Sequence, residues 1–223
     1  MNNADPVEYV QGIFLYETKH RFMCMIMING EVELCHVASS MKLEKIIALS
    51  GKRVLLTKNF RQDLRTQYTL YSLLDRPRSM LNLSYANDLV YNDLERSRKG
   101  LILKEKYCNG YKTDLLVNGK CIIEVKTVLS DSSIVNYPCT NADRGKQQLI
   151  AIKRLLDTGY KVELWFVYLN NCIKEINITD KSDYKILLND CILAGLKIIE
   201  KRVVFNDNYE IKLKRLNKSI MKI

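Results

Sequence analysis

A chain of 223 residues with 47% hydrophobic content can bury one large core or two smaller ones without disulfide support. It has no apolar run near the about eighteen residues that a membrane-spanning helix needs, and its seven cysteines are odd in number, scattered and free of any C-x-x-C pair, so neither a disulfide framework nor a zinc site is indicated. The formal charge of +10 points to polyanions, nucleic acid first, as partners rather than membranes. Most of that excess follows residue 86, where 24 basic side chains face 17 acidic ones. Asp5 and Glu8 stand where a signal peptide would need a basic start and an apolar stretch, so the expected compartment is the cytoplasm.

From Tyr9 to Leu83, short runs of Val, Ile, Leu, Met and Tyr are broken by the turn pairs Asn29-Gly30 and Ser50-Gly51. Phe22–Ile28 and Val32–Cys35 flank the first of these and predict a hairpin, and Met41–Leu49 has apolar residues at helical spacing. A small β-barrel with one short helix fits this pattern, and oligonucleotide-binding (OB) barrels share it with unrelated five-stranded barrels. The period changes at 87–98, which predicts a helix with a basic end, and the expected domains are therefore 1–86 and 87–223. Strands follow at 101–107, 113–117 and 121–129, the last two joined by Asn118-Gly119. Asp143–Leu156 is an amphipathic helix stopped at Gly159, Lys161–Leu169 a buried strand, Ser182–Leu193 a helix and Leu196–Phe205 a strand. The whole reads as α/β, or α+β overall, with an OB-like barrel first.

Chemistry is signalled where charges interrupt an apolar strand. In Cys121-Ile122-Ile123-Glu124-Val125-Lys126, alternation places Glu124 and Lys126 on one face and Val125 on the other. Asp114 lies in the partner strand before the Asn-Gly turn, so closing the hairpin brings its carboxylate toward Glu124. Two carboxylates, with the Val125 carbonyl as a further oxygen, are hard ligands suited to Mg²⁺, with Mn²⁺ as the alternative ion. Lys126 would orient or deprotonate an attacking water and offset charge on a phosphate. Glu105, in the preceding strand, is a candidate further ligand. A solvent-facing ion pair between Asp114 and Lys126 is the competing reading. In the last thirteen residues, Lys212, Lys214, Arg215, Lys218 and Lys222 occur without an acid, either as a phosphate clamp or as a solvated face.

The D-x(9)-E-V-K arrangement resembles the PD-(D/E)xK nuclease superfamily. Ile123-Glu124-Val125-Lys126-Thr127-Val128-Leu129, then Tyr137-Pro138, then Asp143-Arg144-Gly145-Lys146-Gln147-Gln148-Leu149 resemble more narrowly the sugar fermentation stimulation protein A (SfsA) family. Arg21-Phe22, Asn82 and Ala86-Asn87 extend the likeness over nearly the whole chain. The resemblance implies an OB-like barrel followed by a restriction-endonuclease-like mixed sheet flanked by helices. It also implies binding of DNA or RNA with little sequence preference, and an Mg²⁺ site. The family's metal and catalytic positions map onto Asp114, Glu124 and Lys126, with Glu105 as the upstream acid. Gln147 falls where related nucleases orient water or phosphate, and Arg21, Arg144 and Lys146 join the tail as candidate nucleic-acid contacts.

The chain departs from the family's pattern in three places. The family's C-P-N-T-G-x-M stretch is Cys35-His36-Val37-Ala38-Ser39-Ser40-Met41, its F-P-D is Tyr137-Pro138-Cys139, and its histidine is Gln148. Two further readings stand beside the nuclease: a non-catalytic DNA-binding regulator of sugar (maltose) metabolism, and a basic interaction domain.

Overall fold

The computed structural model describes residues 7–20, 22–39, 41–60, 65–97, 100–139, 142–179 and 183–223. The chain forms two compact units, one of Met1–Tyr85 with Leu169–Asn171 and one of Ala86–Tyr168 with Cys172–Ile223. No described helix is long and apolar enough to cross a membrane.

The first unit is built from β1 (Tyr9–Glu17), β2 (Met23–Ile28), β3 (Glu31–His36), β4 (Arg53–Lys58), β5 (Tyr68–Leu73) and β6 (Ser79–Met80). The order β3-β2-β1-β4-β5-β6 closes on itself through a parallel β3–β5 pairing, His36 opposite Thr69, giving a five-stranded barrel of OB topology. Asn29 and Gly30 both have positive φ, 52° and 90°, as the predicted two-residue hairpin requires. Phe14, Cys24, Ile26, Cys35, Leu56 and Leu70 fill the interior. Gly12 admits a close approach: a Cβ there would stand 2.6 Å from Ile26 Cγ2 and 2.9 Å from the Met27 carbonyl.

The helix expected at Met41–Leu49 is only a single 3-10 turn, Leu43–Lys45. Its capping residue Lys42 offers no side-chain acceptor, and so short a segment does not sustain an α-helix unaided. The apolar spacing is used instead to bury Leu43, Ile47 and Leu49. The turn is tied to the end of β1 by Glu17 and Glu44, each backbone N–H donating to the other's carboxylate at 2.8 and 2.9 Å. β6 pairs with β5 and takes its other contacts from the returning segment: Met80 N–H donates to the Leu169 carbonyl at 2.9 Å, and Asn170 Nδ2 donates to Ser79 Oγ at 3.1 Å.

The second unit opens with α1 (Tyr85–Ser97), which begins two residues earlier than predicted; Arg98 and Lys99, read as part of its basic end, lie outside the described residues. Then come β7 (Ile102–Lys104), a two-stranded ribbon of β8 (Tyr107–Cys108) and β9 (Tyr111–Lys112), β10 (Leu115–Val117), β11 (Cys121–Val128) and β12 (Ile134–Tyr137). α2 (Ala142–Asp157), β13 (Lys161–Tyr168), β14 (Glu175–Ile178), α3 (Tyr184–Leu193), β15 (Lys197–Phe205), β16 (Ile211–Arg215) and β17 (Met221–Lys222) complete it. Its mixed sheet has the order β16-β15-β13-β11-β10-β7: β7, β10 and β11 form the predicted antiparallel meander, β11, β13 and β15 run parallel, and β16 is antiparallel.

Both faces of this sheet are covered, which is why β13 reads as a continuous apolar run. On one face, Leu149, Ile152 and Leu155 of α2 and Tyr184, Leu188 and Cys191 of α3 pack with Ile122, Leu164, Phe166 and Tyr168. α1 lies on the other, held by ion pairs from Asp88 to Lys104 at 2.6 Å and Asp93 to Lys201 at 2.9 Å. The helix crossing between α2 and α3 explains Gly145, since a Cβ there would come within 2.9 Å of the buried Tyr184 ring.

The carboxy-terminal segment, read as a phosphate clamp or a solvated face, is folded into two strands. β16 is the edge strand of the mixed sheet, and β17 joins β12 and β14 in a small parallel sheet with no sequence signal. Lys222 is ion-paired with Glu175 at 2.5 Å.

Candidate active site

Register fixes the centre of the site. Leu115 pairs with Ile123, so Asp114, one residue before β10, stands across from Glu124. Its carboxylate turns onto the neighbouring backbone: Oδ2 accepts from the Val125 N–H at 2.8 Å, and Oδ1 accepts from Asn87 Nδ2 of α1 at 3.2 Å. The N–H and carbonyl of one strand residue point the same way, so the Val125 carbonyl also faces the Asp114 side.

Glu124 and Lys126 follow one another on the face that packs against α2, as alternation predicts. Glu124 is 4% exposed. Its Oε1 accepts from Lys126 Nζ at 3.2 Å and from Gln148 Nε2, while its Oε2 is buried without a hydrogen-bond partner among the described residues. Gln148 closes the cluster: its Oε1 accepts from Lys126 Nζ, and its Nε2 also donates to the Tyr111 hydroxyl at 2.8 Å. Burial pushes the Glu124 carboxyl up to about 7, against the pull of Lys126 and with a further push from the Asp114 charge. A carboxylate that titrates near neutrality, with one oxygen unpaired, is poised for a cation or a proton. The ion pair that forms is thus a largely buried Lys126–Glu124 contact, not the solvent-facing Asp114–Lys126 pair.

Glu105 is not part of this cluster. It has a positive φ of 52°, its carboxylate is exposed, and it is paired with Lys112 at 2.7 Å, although its N–H donates to the Asp114 carbonyl at 3.0 Å. Among the described residues no group of three or more His, Cys, Asp or Glu is placed to hold a metal, so the acid set is Asp114 and Glu124 alone. Gln147 likewise points to solvent. Gln148, not Gln147, is in phase with buried Ile152 and Leu155 at i+4 and i+7, which turns it onto the sheet.

The candidate nucleic-acid contacts are dispersed. Arg21 lies outside the described residues. Arg144 is exposed on the first turn of α2, and Lys146 is ion-paired with Asp183 at 3.0 Å. Lys212 and Lys214 alternate on the edge strand and share the face of Arg202, whereas Arg215 falls on the opposite face beside Lys201. Cys139, where the family pattern has aspartate, is exposed, with its thiol donating to the Asn136 carbonyl at 3.1 Å. Tyr137 packs edge-on against Phe166 and Tyr184, with ring centres 5.2 and 5.7 Å away.

Sequence reasoning missed Gln148, Tyr111 and Asn87 as members of the site. The phase of α2 was available for Gln148. Tyr111 sits on a two-residue strand with no pattern to mark it.

A curated relative from Caldanaerobacter subterraneus subsp. tengcongensis, a sugar fermentation stimulation protein homolog, is 27% identical over 90% of this chain and 92% of its own length. A homolog of the same name from Marinomonas sp. is 22% identical over 94% of this chain and 87% of its own. The solved structure of SfsA from Pyrococcus furiosus in complex with Ca²⁺ superposes with a TM-score of 0.76 at 19% identity, covering 99% of this chain and 97% of that one, which shows a shared fold. The family model for the sugar fermentation stimulation protein RE domain matches residues 84–209, and on that match the chain belongs to the sugar fermentation stimulation protein (SfsA) family.

Proposed function

We propose that this protein is a metal-dependent nuclease that hydrolyses phosphodiester bonds of DNA or RNA with little sequence preference. The observation that carries this reading is the unpartnered, buried Oε2 of Glu124, placed across from the Asp114 carboxylate and next to Lys126. An acceptor left unmet in the interior costs about 1–3 kcal/mol, so its retention points to a partner bound during function.

Asp114, Glu124 and the Val125 carbonyl are all oxygen donors on adjoining strands, the set a hard divalent cation requires. This donor set fits Mg²⁺, with Mn²⁺ as the alternative; when bound, such an ion would polarise the scissile phosphate and acidify water. The Ca²⁺ in the Pyrococcus furiosus structure supports a cation site in this fold. Asp114 is fixed by Asn87 and the Val125 N–H, so its carboxylate is pre-oriented. Lys126, held by Glu124 and Gln148, positions one ammonium for the attacking water and for charge growing on the phosphate. Tyr111 restrains the Gln148 amide and through it both charged groups. The PD-(D/E)xK superfamily is the placement this arrangement favours, and the +10 charge suits backbone contacts.

One observation favours the other reading, a non-catalytic DNA-binding regulator of sugar metabolism: Gln148 is an amide, which accepts and donates hydrogen bonds but does not carry protons. Incubation of the protein with labelled single- and double-stranded DNA and RNA, in Mg²⁺ or EDTA, tests both. Metal-dependent cleavage that disappears in Lys126→Ala is expected. Salt-sensitive binding with no cleavage in any arm would establish the regulator instead.

A further inference from the structure

On the sheet face opposite Glu124 and Lys126, α1 crosses from Lys104 and Asp114 toward Lys201 and leaves the starting edge of the strands open. A cleft of about 520 Å³ lies there, lined by Lys120, Lys161, Lys197, Val117, Cys121 and Glu163 among others. Register explains why these side chains converge. Cys121 pairs with Lys161, Glu163 pairs with Lys197, and the Lys161 N–H donates to the Lys120 carbonyl at 3.0 Å. Register thus places the Cys121, Lys161, Glu163 and Lys197 side chains on one face of the sheet, and Lys120, in the turn before Cys121, lines the same cleft.

These three lysines differ from their neighbours. Lys104, Lys146, Lys153 and Lys201 each hold a carboxylate within 3.0 Å. Lys120, Lys161 and Lys197 are exposed, and among the described residues none of them has an ion pair. The lining includes one acid, Glu163, and its Oε2 accepts from the Trp165 indole N–H at 2.9 Å. Three ammonium groups gathered at one sheet edge with a single carboxylate among them oppose folding, so their local concentration calls for an anion. The cleft is of small-ligand size, and Val117, 4% exposed, gives it an apolar floor. Ammonium groups that approach from separate strands suit the several oxygens of a phosphate better than the single plane of one carboxylate.

We propose that this cleft is a second binding site, separate from the candidate active site, which takes the phosphate groups of a compact ligand through Lys120, Lys161 and Lys197. Val117 and Cys121 contact the ligand's less polar part. The site does not depend on the nuclease reading, because it lies on the other face of β11 and uses none of the same side chains.

The test is calorimetric titration of the full chain with inorganic pyrophosphate in EDTA, at low and moderate salt. Saturable binding at one site per chain is expected. It should weaken at least tenfold in Lys161→Ala/Lys197→Ala, recover largely in Lys161→Arg/Lys197→Arg, and stay within twofold of wild type in Lys212→Ala/Lys214→Ala and in Glu124→Gln. A single-stranded oligonucleotide in a parallel arm identifies the source of the phosphate: its binding should change by less than threefold in Lys161→Ala/Lys197→Ala. Equal losses from the two alanine pairs would reduce the cleft to general surface charge and overturn the proposal. Loss in Glu124→Gln would move pyrophosphate to the candidate active site and overturn it too. So would an effect on the oligonucleotide alone, which would make the lysines a nucleic-acid contact. All the lysines changed are exposed, and a thermal melt of each variant confirms folding.

Discussion

Two neighbouring strands of the same sheet, β11 and β13, run parallel in unbroken register, yet they put different chemistry into the same layer. Where β13 presents Leu164 and Phe166 toward α2 and α3, β11 presents Glu124 and Lys126 at the paired positions. Both strands are bounded by the same helices and both are largely buried. Replacing a buried ion pair with apolar residues of similar size is often neutral or stabilising, so the comparison isolates a pair of charges that the fold does not require. One carboxylate oxygen without a partner strengthens that conclusion. The difference between the strands is the mark of a site imposed on a core.

The strongest way to break the comparison is to make β11 resemble β13. Glu124→Ala and Lys126→Ala are each expected to lower Mg²⁺-dependent cleavage by about 10³-fold or more while binding of nucleic acid stays within about tenfold, because the cluster serves the transition state. Gel-based cleavage and filter-binding assays measure the two quantities, and unchanged cleavage in either variant would remove these residues from the mechanism.

A second expectation concerns stability without metal. The Glu124 carboxyl, raised by burial to about 7, binds its proton more tightly in the folded than in the unfolded chain. Its contribution is therefore fully present below an unfolded value of about 4.3 and is lost as pH rises through about 7, a change on the order of 3 kcal/mol. In EDTA, Glu124→Gln should flatten this dependence and unfold at a higher temperature than wild type at about pH 8. Thermal melts across the range decide it, and identical pH profiles would show that Glu124 stays ionised at low cost.

A smaller effect separates two adjacent glutamines. Gln148→Ala leaves Lys126 and Glu124 without their shared amide and should reduce cleavage about tenfold to a hundredfold, as loss of an orienting group commonly does. Gln147→Ala should change nothing beyond twofold, and the reverse order would mean that α2 is rotated from the phase described. The least expected effect is structural: Gly145→Ala must displace the Tyr184 ring and should destabilise by about 1 kcal/mol in urea melts, even after the helix propensity gained by alanine.

Much of this was legible in sequence because the signals were local. The meander came from Asn118-Gly119 and flanking alternation, and α2 from Leu149, Ile152 and Leu155 at helical spacing. Asp114 stands across from Glu124 because a short hairpin leaves little freedom in register. Glu105 was misplaced because alternation holds only inside a strand, and β7 ends at Lys104, just before Glu105 takes a left-handed conformation. The parallel sheet of β12, β14 and β17 was illegible for a different reason: its strands are two to four residues long and come from distant parts of the chain, so no turn or period announces them. The same remoteness hid Tyr111 and Asn87.

The return of Leu169–Asn171 to the first unit has a consequence for where the chain can be cut. Beyond its pairing with β5, the short strand β6 takes hydrogen bonds from a segment about ninety positions later in the chain, between Met80 and Leu169 and between Ser79 and Asn170. Cutting after Tyr85 would strip Ser79 of that partner and expose Met80, so a fragment ended there keeps the five strands of the barrel and loses what holds β6 on its far side.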